Sequence, residues 1–175
     1  MNYIKKYQTP NNFSNMIMSS DGTYLTGLWF EKSKDASKHD MKDALEKSLP
    51  IFDETCKWLD IYFTGKNPNF TPKYKIENET PFRKMVTKIM NEIPYGKTIS
   101  YAEISNQIAN IKQIKKMSAQ AVGHAVGSNP ICIIVPCHRV IGKSGKLVGY
   151  GGGLENKIEL LKLENSLNKE NIYEK

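Results

Sequence analysis

No stretch of about eighteen apolar residues occurs in the chain, so no membrane-spanning helix is expected. The first dozen residues carry Lys5 and Lys6 with no apolar segment behind them, which argues against a secretory leader. Cysteine is scarce. Cys56, Cys132 and Cys137 are spaced for neither a disulfide framework nor a zinc motif, and a reducing, cytoplasmic compartment is expected. The first half offers only Cys56 and His39 as soft ligands, too few for a zinc site, so no metal and no cofactor are expected. Repeats and low-complexity tracts are missing, and 39% hydrophobic with 25% charged residues excludes disordered and collagen-like classes.

What the chain has in excess is positive charge: 25 basic against 18 acidic residues give +7 over 175 residues. The excess is concentrated, with 10 basic and 4 acidic residues between positions 76 and 150. Such a concentration suits a polyanion, either nucleic acid or an anionic membrane surface; a solvated lysine-rich face is the plain alternative.

Residues 1–75 read as a mixed αβ domain. Phe13 to Ser19 and Thr23 to Phe30 flank Asp21-Gly22, a type I′ hairpin signal, with Tyr24, Thr26, Leu28 and Phe30 on one face. Pro50 opens a helix carrying Ile51, Phe52, Thr55, Cys56, Leu59 and Tyr62, which Gly65 ends. The polar, aperiodic segment 66–79 reads as a linker. Residues 76–175 read as a second, mostly helical domain. Thr80-Pro81 starts a helix with Phe82, Met85, Val86, Ile89 and Met90 at i, i+3, i+4 spacing. Ser100 and Glu103 form a capping box for a helix to about Ala109. After a basic loop with Lys112, Lys115 and Lys116, Ser118 caps a small-residue helix that Asn129-Pro130 stops. Two short helices joined by such a loop suggest a helix-turn-helix, the second entering a DNA groove. Ile131 to Val135 reads as a short strand; a closing helix runs from Leu154, with Asn165 as its cap and a frayed tail to Lys175.

Cys137 lies between Pro136 and His138-Arg139, a soft nucleophile beside cationic or proton-accepting groups that favour the thiolate. The plain alternative is an inert buried cysteine next to a surface histidine. Cys132, in an apolar run without a charged neighbour, reads as a packing cysteine, and His39 and His124 as structural or surface residues.

The segments Ile134 to Ile141 (IVPCHRVI), Ala121-Val122-Gly123 before Asn129-Pro130, Pro94-Tyr95-Gly96-Lys97-Thr98 with Ser100-Tyr101, and Gly149-Tyr150-Gly151-Gly152-Gly153 with Lys157 through Glu164 occur in order. Together they resemble the 6-O-alkylguanine-DNA alkyltransferases, also called methylated-DNA–protein-cysteine methyltransferases, over about residues 80 to 164. The resemblance implies a ribonuclease H-like αβ domain followed by a winged-helix-like domain holding the cysteine. It implies a monomer that flips an alkylated base out of double-stranded DNA and transfers the alkyl group irreversibly from 6-O-alkylguanine, and 4-O-alkylthymine, to Cys137. In that pattern His138 takes the cysteine proton through a water, Glu164 orients the histidine, and Asn129 braces the turn beside the cysteine. Tyr101 hydrogen-bonds the base ring, carbonyls of Cys137 and Val140 accept from its exocyclic amine, Tyr150 packs over it, and the Gly151 amide faces the guanine oxygen. The pattern adds Ala119, Gly123, Arg139 and Gly152 to the DNA- and base-contacting set.

Two positions depart from that pattern. Gln120 stands where the family carries an arginine that fills the gap left by the base, and Gly151 stands where a serine is often found. The family's alternative role, damage binding without transfer, goes with loss of the cysteine, which this chain retains. A cysteine hydrolase using Cys137, His138 and Glu164 fits poorly with adjacent Cys and His on a winged-helix scaffold and with the basic excess.

Overall fold

The computed structural model describes residues 2–167; the part of the expected frayed tail beyond residue 167 lies outside the described residues. The architecture is α/β, with a four-stranded sheet, a two-stranded ribbon and five α-helices.

The sheet has the order β3-β2-β1-β4, built from β1 (Tyr3–Tyr7), β2 (Met16–Ser20), β3 (Leu25–Phe30) and β4 (Leu45–Glu46). Antiparallel pairing joins β1 to β2 and β2 to β3, while β4 runs parallel to β1. The expected hairpin is present with three differences. Its first strand starts at Met16, leaving Phe13 as a buried plug. Its loop is held by the Asp21 carboxylate, which accepts from the amides of Thr23 and Tyr24 at 2.9 and 2.8 Å, rather than by a two-residue turn. A bulge pairs Ser19 with Gly27 and Ser20 with Leu25, so Leu25 joins Leu28 and Phe30 on the core face and Tyr24 is left exposed. The other face is also covered, because Trp29 stacks on His39 at 3.8 Å, so β3 reads as an apolar run rather than an alternation. Strand β1 was not anticipated, since Lys5 and Lys6 interrupt its apolar residues.

Helix α1 (Pro50–Tyr62) starts at its proline and buries Phe52, Leu59 and Tyr62. Cys56 is only partly buried beside this core. The expected linker is not free. Its Lys73 carbonyl accepts from the Leu25 amide and its Lys75 amide donates to the Leu25 carbonyl, so residue 74 runs along the outer edge of β3. Farther along that edge the Leu28 amide donates to the Pro130 carbonyl, and the Cys132 amide donates to the Leu28 carbonyl. The open edge of β3 thus anchors the segment leading to Cys137, using backbone groups that would otherwise lack partners.

Helices α2 (Pro81–Asn91), α3 (Tyr101–Lys112) and α4 (Ala119–Gly127) pack together. Their starts follow the sequence signals: Thr80 and Ser118 accept from Arg83 and Ala121 amides, and both capping-box bonds of Ser100 and Glu103 are made. Helix α3 runs past Ala109 until Gln113 adopts the left-handed conformation. The short strands β5 (Ile99–Ser100) and β6 (Val140–Ile141) pair in parallel and set the start of α3 beside the cysteine segment. Helix α5 (Leu154–Leu163) ends with Glu164 as C-cap, one residue before the expected Asn165.

Residues 131–135 are not the expected strand. Only Ile131 bridges β3, and the rest coils through Ile133 in the left-handed region, closed by the bond from the Val135 amide to the Ile131 carbonyl. The run is apolar because it is buried on all sides, a condition that periodicity cannot distinguish from a strand. Buried side chains from both halves, including Leu28, Phe52, Val86, Ile104, Val126 and Val140, form one cluster. No helix among the described residues is long and apolar enough to cross a membrane.

Candidate active site

Cys137 opens a one-turn 3-10 helix, Cys137–Arg139, and is 6% exposed. Asn129, just past the end of α4, fixes the approach to it. Its Oδ1 accepts from the Ile131 amide, and its Nδ2 donates to the Val135 carbonyl at 3.0 Å and to Cys137 Sγ at 3.1 Å. The Cys137 thiol is lowered from 9.0 to about 7. A hydrogen bond from Cys132 is the main cause; burial opposes it, and the Asn129 bond and the Lys38 charge assist it. At neutral pH a large fraction is therefore thiolate. A cavity of about 30 Å³, roughly the share of one water in the liquid, reaches Cys137 and is lined by Tyr101, Tyr150, Gly151, Asp35 and Lys38 among others.

Behind the cysteine lies a buried ionic cluster. His138 Nε2 is 2.7 Å from Glu164 Oε1, and the Tyr62 hydroxyl donates to the same oxygen at 2.7 Å. Arg139 donates from Nε to Oε2 at 2.9 Å and from Nη2 to Oε1 at 3.0 Å, a bidentate pair, and from Nη1 to the Ile93 carbonyl. The Gly96 amide donates to Oε2. Burial alone would raise the Glu164 carboxyl, but the hydrogen bonds and charges of His138 and Arg139 hold it well below the usual carboxylate range. His138 is pushed below its ordinary 6.5, by burial first and against the pull of Glu164. Neutral histidine facing an ionised carboxylate must carry its proton on Nε2. Nδ1, which has no hydrogen-bond partner among the described residues, is then the open acceptor. Nucleophile, base and orienting acid are thus in place for attack on an electrophilic carbon.

Residues 81–166 match the family described as 6-O-methylguanine DNA methyltransferase, DNA binding domain. A methylated-DNA–protein-cysteine methyltransferase of Methanosarcina acetivorans is 42% identical over 86% of this chain and 92% of its own. The protein of that name from Haemophilus influenzae is 37% identical, over 89% and 83%. The chain belongs to this family. Among solved structures, Mycobacterium tuberculosis OGT in complex with DNA superposes with a TM-score of 0.78 at 36% identity, covering 94% of this chain and 93% of that one.

Of the residues expected in the site, Tyr101, Asn129, Cys137, Tyr150 and Gly151 meet around one cavity, with His138 and Glu164 buried behind it. Ala119, Gln120 and Gly123 lie apart on the outer face of α4, where Gln120 and Gly123 border a separate groove of about 790 Å³ with Arg83 and His124. The assignment of Arg139 to DNA contact is corrected: its guanidinium is buried and committed to Glu164 and Ile93. Gly152 is a packing glycine, since a Cβ there would meet Phe30 and Tyr150 at under 3.0 Å. The Val140 carbonyl accepts from Lys157 Nζ at 2.7 Å; that lysine is fully buried and lowered by burial to about 8.

Sequence reading missed Tyr62, Asp35 and Lys38. Tyr62 sits at an apolar helix position, and Asp35 and Lys38 lie in a polar 3-10 turn, Lys34–Lys38, with no local pattern to single them out. Asp35 also explains Gly151, because a Cβ there would collide with its carboxylate. Gly151→Ser is expected to cost about 1–3 kcal/mol in thermal melting, most of it regained when Asp35→Gly is added. Among the described residues no group of three or more His, Cys, Asp or Glu is arranged to hold a metal.

Proposed function

We propose that this protein repairs DNA by direct reversal, moving the alkyl group of 6-O-alkylguanine, and of 4-O-alkylthymine, irreversibly onto Cys137. The observation that carries the reading is the Cys137 thiol, pinned by Asn129 and lowered to about 7, beside the His138–Glu164 pair. As the bond from Cys137 Sγ to the alkyl carbon forms, the carbon–oxygen bond of the base breaks and its electron pair stays on the base oxygen. The thiol proton leaves first to His138 Nδ1 through a water, Glu164 balancing the imidazolium. The thioether product is not hydrolysed, so each molecule acts once.

In this reading Tyr101 donates to the flipped base ring, Tyr150 packs over it, and the Gly151 amide faces the leaving oxygen. The exocyclic amine is accepted by the Cys137 and Val140 carbonyls. The resting cavity near Cys137 is too small for a purine, so base entry widens it. Helix α4 enters the minor groove with Ala119 and Gly123 against the backbone, and the 3-10 and helical segments after residue 76 form a winged-helix-like DNA-binding unit. Residues 1–75 form the ribonuclease H-like unit, and the protein works as a cytoplasmic monomer.

The test is intact mass after incubation with duplex containing 6-O-methylguanine. A gain of one methylene unit mapped to Cys137 is expected; binding without a mass change would identify a damage-binding module instead. Gln120 is short and neutral where a cation would press against the opened pair. Gln120→Arg is expected to speed transfer from duplex about tenfold, the worth of one charge-assisted contact, with single-stranded substrate unaffected.

A further inference from the structure

Cys132 is fully buried, and its Sγ donates to Asp35 Oδ2 at 3.2 Å. The same thiol is a hydrogen-bond partner of Cys137. Asp35, 2% exposed and paired with Lys38, is seated against Gly151, whose missing side chain leaves it room. A thiol has one proton, so Cys132 cannot serve Asp35 and a Cys137 thiolate together. Asn129 is the other donor to Cys137, and two of its own acceptors are backbone carbonyls it must also hold.

Resting on the reading of Cys137 as nucleophile, we propose that Cys132 is a positioning residue for the transfer. Its S–H bonds Asp35 while Cys137 is a thiol and turns to Cys137 once that sulfur is a thiolate. No proton changes atom in this exchange; only the acceptor changes. After alkylation the thioether sulfur is uncharged and a poor acceptor, and the Cys132 proton returns to Asp35. The thiolate is thereby favoured in the reactive state alone. The charged and titratable groups facing Cys137 besides these are Lys38, Tyr101, His138, Tyr150 and Lys157, and all remain in the variants below.

The test is the pH profile of Cys137 modification by iodoacetamide in the full chain, read by peptide mass, alongside single-turnover transfer from methylated duplex. Cys132→Ala is expected to move the midpoint of both profiles up by about one pH unit, the size of a lost bond to a charged acceptor, with the alkaline plateau kept. Cys132→Ser, which keeps a donor, holds the parent midpoint, and Asp35→Asn, which removes a competing acceptor and a nearby negative charge, lowers it. A midpoint unchanged in Cys132→Ala, or moved equally by serine and alanine, overturns the proposal. Should the alanine variant fail to fold, an Asp35→Asn midpoint at or above the parent's overturns it. Iodoacetamide reports Cys132 without DNA, so a parent that never takes up an alkyl group would sink the transferase reading and not this one.

Discussion

Cys137→Ser is expected to bind alkylated duplex and leave it unrepaired, with transfer reduced by a factor on the order of 10⁶, as when other enzymes lose their nucleophile. The physical reason is ionisation. Asn129 would still donate to a serine oxygen, so the turn is retained and melting should change little. A hydroxyl, however, stays protonated where the Cys137 thiol, lowered to about 7, is largely ionised, and neutral His138 is too weak a base to make the alkoxide. The parent's own profile carries the same argument. Transfer should rise through about pH 7 and fall about tenfold per unit on the acid side, as the thiolate is lost. Intact mass against time across that range checks both statements, and a variant that still gains a methylene would require another nucleophile.

Glu164→Gln is expected to be the most damaging substitution for stability. The carboxylate accepts from His138, Arg139, Tyr62 and Gly96 in a site 2% exposed. A neutral amide leaves the Arg139 charge buried without its counter-ion and turns an N–H₂ toward groups that themselves donate. Removing one member of a buried pair costs about 3–5 kcal/mol, or roughly 10 °C of melting temperature for a chain of this size. The sign of the pH dependence follows from the direction of the carboxyl's shift. Because Glu164 is held below its ordinary 4.5, its contribution is fully present above that value and is lost as pH falls beneath it. Thermal melting from about pH 5 to about pH 3 should drop steeply in the parent and less in the variant. The exposed Lys162–Glu159 pair on the same helix gives the contrast, since such pairs contribute little.

Several local features were legible because their causes are local. Thr80-Pro81, Ser100 with Glu103, and Ser118 each satisfy helix-end amides within a few residues, so the starts of α2, α3 and α4 could be read directly. Element type in residues 131–135 could not, because burial on all sides gives a coil and a strand the same apolar signature. Strand β1 was hidden by Lys5 and Lys6, Lys5 being stabilised by Asp53 of α1 across the fold. Cys132 looked inert because its charged neighbour, Asp35, is 97 residues away.

By itself the sequence determined the kind of chemistry and much of its cast: a cysteine beside histidine and arginine, in motifs specific enough to name a family, within a basic stretch. Composition and short-range pattern suffice for that, since they set which groups exist and which helices begin where. Only the tertiary structure decided how those groups are charged and employed. It turned Arg139 inward to Glu164, recruited Tyr62 from α1, and set Asp35 against Gly151 and Cys132. Ionisation depends on burial and on partners within a few ångströms, and in this protein those partners come from segments distant in the chain.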